Sequence, residues 1–177
     1  MENQRTQVKV AMNYGTLSGL SGVVVFLLFY FMGTDIQSKL PQWIGYIILV
    51  LFMIMGIKSY RDEDLGGYIS YGRSLGTGTL IAMFAGIISA IFSVLFFNFI
   101  APEMTQRILE AAQESMTERG MSEEQIETAM AYTQKFMTPF WLFTFSVVSA
   151  AFMGFIFSLI ISIFTRKEQN TFNSNIG

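Results

Sequence analysis

Four long stretches of the chain, residues 10–34, 40–57, 74–102 and 136–165, contain no Asp, Glu, Lys or Arg. Each is apolar on every face and lacks the strict alternation of a strand with one wet side. About 20 apolar residues cross a hydrocarbon core as a helix, and in lipid each backbone N–H and C=O needs a partner inside its own segment. The pattern therefore predicts membrane-spanning helices at about 10–32, 41–58, 74–100 and 139–164. The first stretch outruns the roughly 7–15 apolar residues of a signal peptide, and no A-x-A-like site follows it, only Gly33, Thr34 and Asp35. It is expected to be a retained helix.

Polar spacing changes between the third and fourth stretches. Met104, Ile108, Ala111 or Ala112, and Met116 recur at helical intervals, while Glu110, Glu114 and Glu118 fall on other faces. Gly120 suits a helix C-cap, and Ser122 followed by Gln125 suits a capping box that opens a second helix. Its apolar stripe is Ile126, Ala129, Met130 and Phe136 or Met137, and Pro139 suits the first turn of the last span. The expected fold is all-α: one domain over residues 1–168, with four transmembrane helices and a two-helix hairpin at about 101–138. Residues 169–177 are expected to form a disordered tail.

Composition agrees. The 177 residues are 52% hydrophobic and 14% charged, against about 25% charged in soluble domains. With no Cys and no His, disulfides, thiol catalysis, Cys/His metal centres and histidine acid–base chemistry are excluded. A net charge of −2 leaves no electrostatic footprint for nucleic acid. Lys and Arg are unequally divided between the two sides. Seven (Arg5, Lys9, Lys58, Arg61, Arg73, Arg166, Lys167) share the side of the termini, and four (Lys39, Arg107, Arg119, Lys135) lie opposite, beside seven Glu of the hairpin. The positive-inside rule puts both termini in the cytoplasm and the hairpin outside it. Trp43 and Trp141 suit interfacial anchors. The hairpin's acids are read as a solvated face in preference to a cation-binding surface.

Small residues recur every fourth position in the third span (Ser74, Gly78, Ala82, Gly86, Ala90) and in the fourth (Ser146, Ala150, Gly154, Ser158, Ser162). Such stripes let helix backbones approach in lipid, so these two spans are expected to pack on each other. Gly15 and Gly19 offer the first span a similar face, with Ser18 and Gly22 alongside. The stripes also suit a subunit interface, although packing within one chain is the preferred reading. The second span is bulky and is expected to face lipid or a partner. Asn13 and Asn98 are expected to hydrogen-bond neighbouring helices.

No catalytic or cofactor motif is found, and the chain is expected to be non-enzymatic, with no cofactor and no metal. The triplet Asp62-Glu63-Asp64 has the oxygen ligands of a divalent-ion site but needs others from elsewhere. It lies in the most distinctive loop, 58–73, where Gly66-Gly67 signals a tight turn. Tyr60, Arg61, Asp62, Gly66, Gly67, Tyr71 and Arg73 are the candidate contacts to a partner protein or lipid headgroups. An ordinary positively charged connector, with tyrosines at the interface, is the competing reading.

Gly56-Ile57-Lys58-Ser59-Tyr60-Arg61-Asp62, then Gly67-Tyr68-Ile69-Ser70-Tyr71-Gly72 and Gly76, resembles the bacterial domain-of-unknown-function family 4199. The small-residue opening of span 1 and the acidic hairpin extend the resemblance to about residues 5–167. It implies a four-helix inner-membrane protein and supplies no catalytic residues. Genes of that family often lie beside a family-2 glycosyltransferase, so the resemblance suggests such a partner. The leading expectation is an accessory or scaffold subunit in contact with membrane lipids and with another membrane protein or itself. The alternative is a small oligomeric transporter or lipid-handling protein.

Overall fold

The computed structural model describes residues 5–34 and 38–167. Asp35 and the expected tail at 169–177 lie outside the described residues. The helices are α1 (Gln7–Phe31), α2 (Leu40–Ser59), α3 (Tyr71–Leu95), α4 (Glu103–Glu118), α5 (Glu123–Phe136) and α6 (Pro139–Thr165). Helix α2 runs on through a π-helical turn at Tyr60–Asp64, and α3 through another at Phe96–Ile100. With these extensions α1, α2, α3 and α6 are, among the described residues, the four helices long and apolar enough to cross a membrane.

Caps set the boundaries. Thr6 and Ser70 accept hydrogen bonds from the N–H groups of Lys9 and Arg73. Helices α1 and α3 therefore begin three residues before the uncharged stretches do, because an exposed basic residue fits easily into a first turn. Ser122 and Gln125 form the reciprocal capping box of α5 (3.0 and 3.4 Å). Gly120 takes φ 73°, which favours glycine where α4 ends. Pro139 occupies the first turn of α6.

The end of α2 departs most from expectation. The loop expected over 58–73 is helical as far as Asp64, leaving a short connection at 65–70. Gly66 (φ 66°) and Gly67 (φ 90°) make the reversal there, and the Gly67 N–H donates to the Arg61 carbonyl at 2.8 Å. Charge suggests a loop here, but these polar side chains find partners within the fold, so the helix need not stop.

Helix α3 lies at the centre, packed on α6, α1 and α2. The α3–α6 seam is antiparallel and keeps a four-residue step. Gly78 meets Ser158, Ala82 meets Gly154, and Gly86 meets Ala150. Each crossing pairs one glycine with one Ala or Ser, so the single small side chain fills the gap its partner leaves. Ala90 is fully buried in the same stripe. On another side of α3, Gly15 of α1 sits against the Ile81 carbonyl and Phe84, and Gly19 against Ile88.

Helix α2 does not face outward all round, as its bulk suggests. Ile47, Leu51 and Met55 are exposed, but Met53 and Ile57 are fully buried, and Gly56 packs on Tyr14 and Ile81. They join Val10, Ala11, Tyr60, Ile69, Ile81 and Ile161 in a core gathered at the end of the bundle where α1 starts. Asn13 and Asn98 are exposed. Asn98 donates to the Val94 carbonyl of its own helix (2.8 Å), so the interhelical hydrogen bonds come from other residues.

Gly154→Leu is expected to overfill the α3–α6 seam and destabilise the protein by about 1–3 kcal/mol. Gly72→Ala, with open space around it, is expected to be near neutral. Thermal unfolding in detergent reads both; equal melting temperatures would mean that the seam tolerates the added side chain.

Candidate functional site

The first candidate site is the end of the bundle where α1 begins. Arg5 reaches across to the extension of α2. Its backbone N–H donates to Asp64 Oδ1 (2.7 Å), and Nη2 meets Asp64 Oδ2 (2.9 Å), Glu63 Oε2 (2.6 Å) and the Ser59 hydroxyl (2.9 Å). Ser59 in turn donates to Glu63 Oε1 at 2.9 Å. The Asp64 side chain is only 5% exposed, against 25% for Arg5. Hydrogen bonding to Asp64, then the fields of Asp64 and Glu63, raise the Arg5 pKa against the opposing effect of burial. The guanidinium therefore stays charged wherever the protein is folded.

The same end is tied to α6 and α3. Arg61 pairs with Asp62 (2.7 Å) and donates from Nη1 to the Thr165 carbonyl (3.2 Å). Ser74 and Thr165 share a buried hydroxyl–hydroxyl bond of 2.7 Å, and Ser158 donates to the Leu75 carbonyl at 2.8 Å. Ile69 and Lys167 exchange two backbone hydrogen bonds, of 2.9 and 3.0 Å, as an isolated antiparallel bridge. The Lys167 ammonium lies 5.5 Å from the centre of the Tyr68 ring, within cation–π range. Gln7 joins α1 to α3 through Thr77 (3.2 Å) and the Arg73 carbonyl (3.3 Å).

This lacing changes the expected contact surface. Tyr60 is buried in the core, because the continued helix turns it inward, and it is not part of that surface. Tyr71 is half-buried and donates to the Leu159 carbonyl at 3.2 Å. The Arg61 side chain is 18% exposed and already engaged. Asp62, Gly66 and Arg73 are exposed, and Gly67 is intermediate. The acidic triplet diverges: Asp62 goes to Arg61, while Glu63 and Asp64 go to Arg5. Among the described residues no group of three or more potential metal-ligating side chains comes together. In sequence the hub residue, Arg5, is no more than one basic charge near the N-terminus, because nothing in the spacing links it to residues more than 50 positions away.

The second candidate is a cleft toward the hairpin end, lined by α1, α2 and α3 and, in its inner part, by α6. Three adjoining cavities of about 390, 300 and 240 Å³ meet at Gly22. Gly45 of α2 lines the two inner ones, and Met104 and Ile108 of α4 help line the outer one. Phe26, Phe92 and Phe96 form a cluster of ring contacts along one wall.

Arg5→Ala leaves a buried carboxylate without its cation, a change that costs up to about 3–5 kcal/mol for a buried pair. Part of that is recovered by water at the exposed side of Arg5. A clear fall in melting temperature in detergent is expected, with partial rescue by Arg5→Lys, since one ammonium does not reproduce the planar fork. An unchanged melting temperature for Arg5→Ala would remove this network from the determinants of stability.

No curated protein and no solved structure matches the chain. The family model described as a protein of unknown function (DUF4199) matches residues 13–167, which takes in most of α1, the other three long helices, the hairpin helices and most of the laced end. The chain belongs to the DUF4199 family.

Proposed function

We propose that this protein is a non-enzymatic accessory or scaffold subunit of a bacterial inner-membrane complex. In this reading both termini face the cytoplasm and α4–α5 stand on the opposite side. The observation that carries it is the state of α4 and α5. They run for 16 and 14 residues, α5 opened by a capping box, yet neither contributes a buried residue to the fold. Their apolar stripes are half-buried, and Tyr132 remains 60% exposed. A helical pair this ordered, adding nothing to the core, suits a docking element for another membrane protein. A membrane-associated family-2 glycosyltransferase is the first partner to look for. Asp62, Gly66 and Arg73, exposed at the laced end, are the cytoplasmic residues open to contact.

A second reading, a lipid-handling membrane protein, is favoured by the glycine-lined cleft.

Affinity purification in a gentle detergent from the native membrane, followed by mass spectrometry, tests the accessory reading. A stoichiometric membrane protein is expected, and Tyr132→Ala is expected to lower its recovery severalfold without altering insertion. A lone homo-oligomer would overturn it. Because the chain has no Cys, single cysteines report sidedness cleanly. A membrane-impermeant maleimide is expected to label Glu118→Cys in intact spheroplasts and Gly66→Cys only after permeabilisation. The reverse pattern would invert the orientation.

A further inference from the structure

Glycine inside a helix costs about 1 kcal/mol relative to alanine, so each one invites the question of what needs the missing side chain. For Gly15, Gly19, Gly56, Gly78, Gly86 and Gly154 the answer lies within the chain, since a Cβ at any of them would run into a neighbouring helix. Gly22 and Gly45 differ. Both lie past the first turn of their helices, and among the described residues neither has an atom beyond its own stretch of helix within 4 Å of where a Cβ would stand. No packing contact among the described residues accounts for them, yet both line the cleft. Gly22 borders all three cavities, and Gly45 borders the inner two.

The chemistry of the walls narrows the occupant. The cavities are lined mainly by apolar groups, such as Phe26, Leu49, Phe92 and Met153. Hydroxyl groups of Ser18, Ser89, Ser146 and Ser149 punctuate the inner cavities, and the outermost carries hydroxyl and amide groups from Tyr30, Thr34, Ser38 and Gln42. Among the described residues no Asp, Glu, Lys or Arg lines any of the three. A headgroup carrying a full charge would be costly to bury without a counter-charge, whereas a hydroxyl or ester finds partners at the mouth. Each cavity exceeds the roughly 150 Å³ that accepts a benzene ring, and between helices of membrane-spanning character the available filler is a lipid chain.

We propose that the cleft between Gly22 and Gly45 is a binding site for an uncharged, hydroxyl- or ester-headed long-chain lipid, its chain running between the two glycines and its head at Thr34, Ser38 and Gln42. The site rests on the lipid-handling reading and is independent of the accessory role. Helix α4, whose Met104 and Ile108 line the outer cavity, covers part of the mouth.

The full-length protein in phosphatidylcholine nanodiscs is exposed to a monoacylglycerol bearing a photoreactive diazirine near its chain end. Parallel samples receive a phosphatidylglycerol with the same tag. The expected result is monoacylglycerol labelling of peptides containing Phe26, Tyr46 or Ser89, suppressed by excess unlabelled monoacylglycerol, with at least fivefold weaker labelling by phosphatidylglycerol. Gly22→Leu and Gly45→Leu fill open space, so they are expected to keep the melting temperature while cutting cleft labelling at least fivefold. Should either variant fail to fold, competition on the wild-type protein decides the question by itself. Equal cleft labelling by both lipids would overturn the uncharged head while leaving lipid handling in place. Labelling confined to outer faces such as Phe152 and Phe164, untouched by competition, would overturn both. Loss of a dimer in Gly22→Leu would give the cleft to a second copy of the chain and overturn the proposal.

Discussion

The structure depends on how closely α3 and α6 approach. Apolar side chains gain little by leaving lipid for one another, so helices in a bilayer associate through packing and hydrogen bonds. The seam supplies packing over successive turns, with Gly78–Ser158, Ala82–Gly154 and Gly86–Ala150 in sequence. Placing the glycine on alternate helices fixes the register, because a slip would bring side chain against side chain or glycine against glycine. Once α3 is held this way, its other faces form the platform for α1 and α2. The same close approach brings Ser158 within reach of the Leu75 carbonyl and Thr165 within reach of Ser74. Polar contacts follow from the packing and then reinforce it.

The two ends of the bundle are held by different forces, and this produces the cleft. At one end, guanidinium–carboxylate pairs, a backbone bridge and hydroxyl bonds lace α1, α2, α3 and α6 together over the buried core. At the other end α1 meets α3 chiefly through aromatic edges, Phe26 and Tyr30 against Phe96. Dispersion and ring edges tolerate small separations better than hydrogen bonds do. Open space remains there, bordered by Gly22 of α1 and Gly45 of α2. The π-helical turn at Phe96–Ile100 lies beside the mouth and leads α3 into α4, whose first turns cover it.

Much of the fold is legible in the sequence because membrane spans leave a strong mark: four uncharged runs, two small-residue stripes and a capping box all correspond to elements seen here. The departures at the end of α2 share one cause. Charge reads as the end of a helix and as a sign of exposure, which makes 58–64 look like loop and Tyr60 like surface. In the fold Arg61, Asp62, Glu63 and Asp64 are internally paired, and the helix continues. Pairing between Arg5 and Asp64 carries no periodic signal, since it joins residues remote in sequence. The glycines divide in the same way. A step of four announces Gly78, Gly86 and Gly154, but only three-dimensional surroundings separate the closely packed Gly56 from the open Gly22.

The buried carboxylate of Asp64 has a further consequence for how the fold is specified. A buried ion pair contributes little net stability compared with an apolar pair of the same shape, but losing one partner is costly. Its contribution is therefore discrimination between arrangements. The apolar faces of α1 and α2 alone would allow them to slide along α3 at small cost, because lipid substitutes for most lost contacts. Arg5 prevents this: sliding α1 by one turn would strand Asp64 and Glu63 without their cation and break the backbone hydrogen bond from Arg5 to Asp64. Small-residue packing thus sets the α3–α6 register, and charge pairing sets the position of α1 and α2 against it. The uncharged spans then need no ionisable residue in the membrane interior to reach one arrangement.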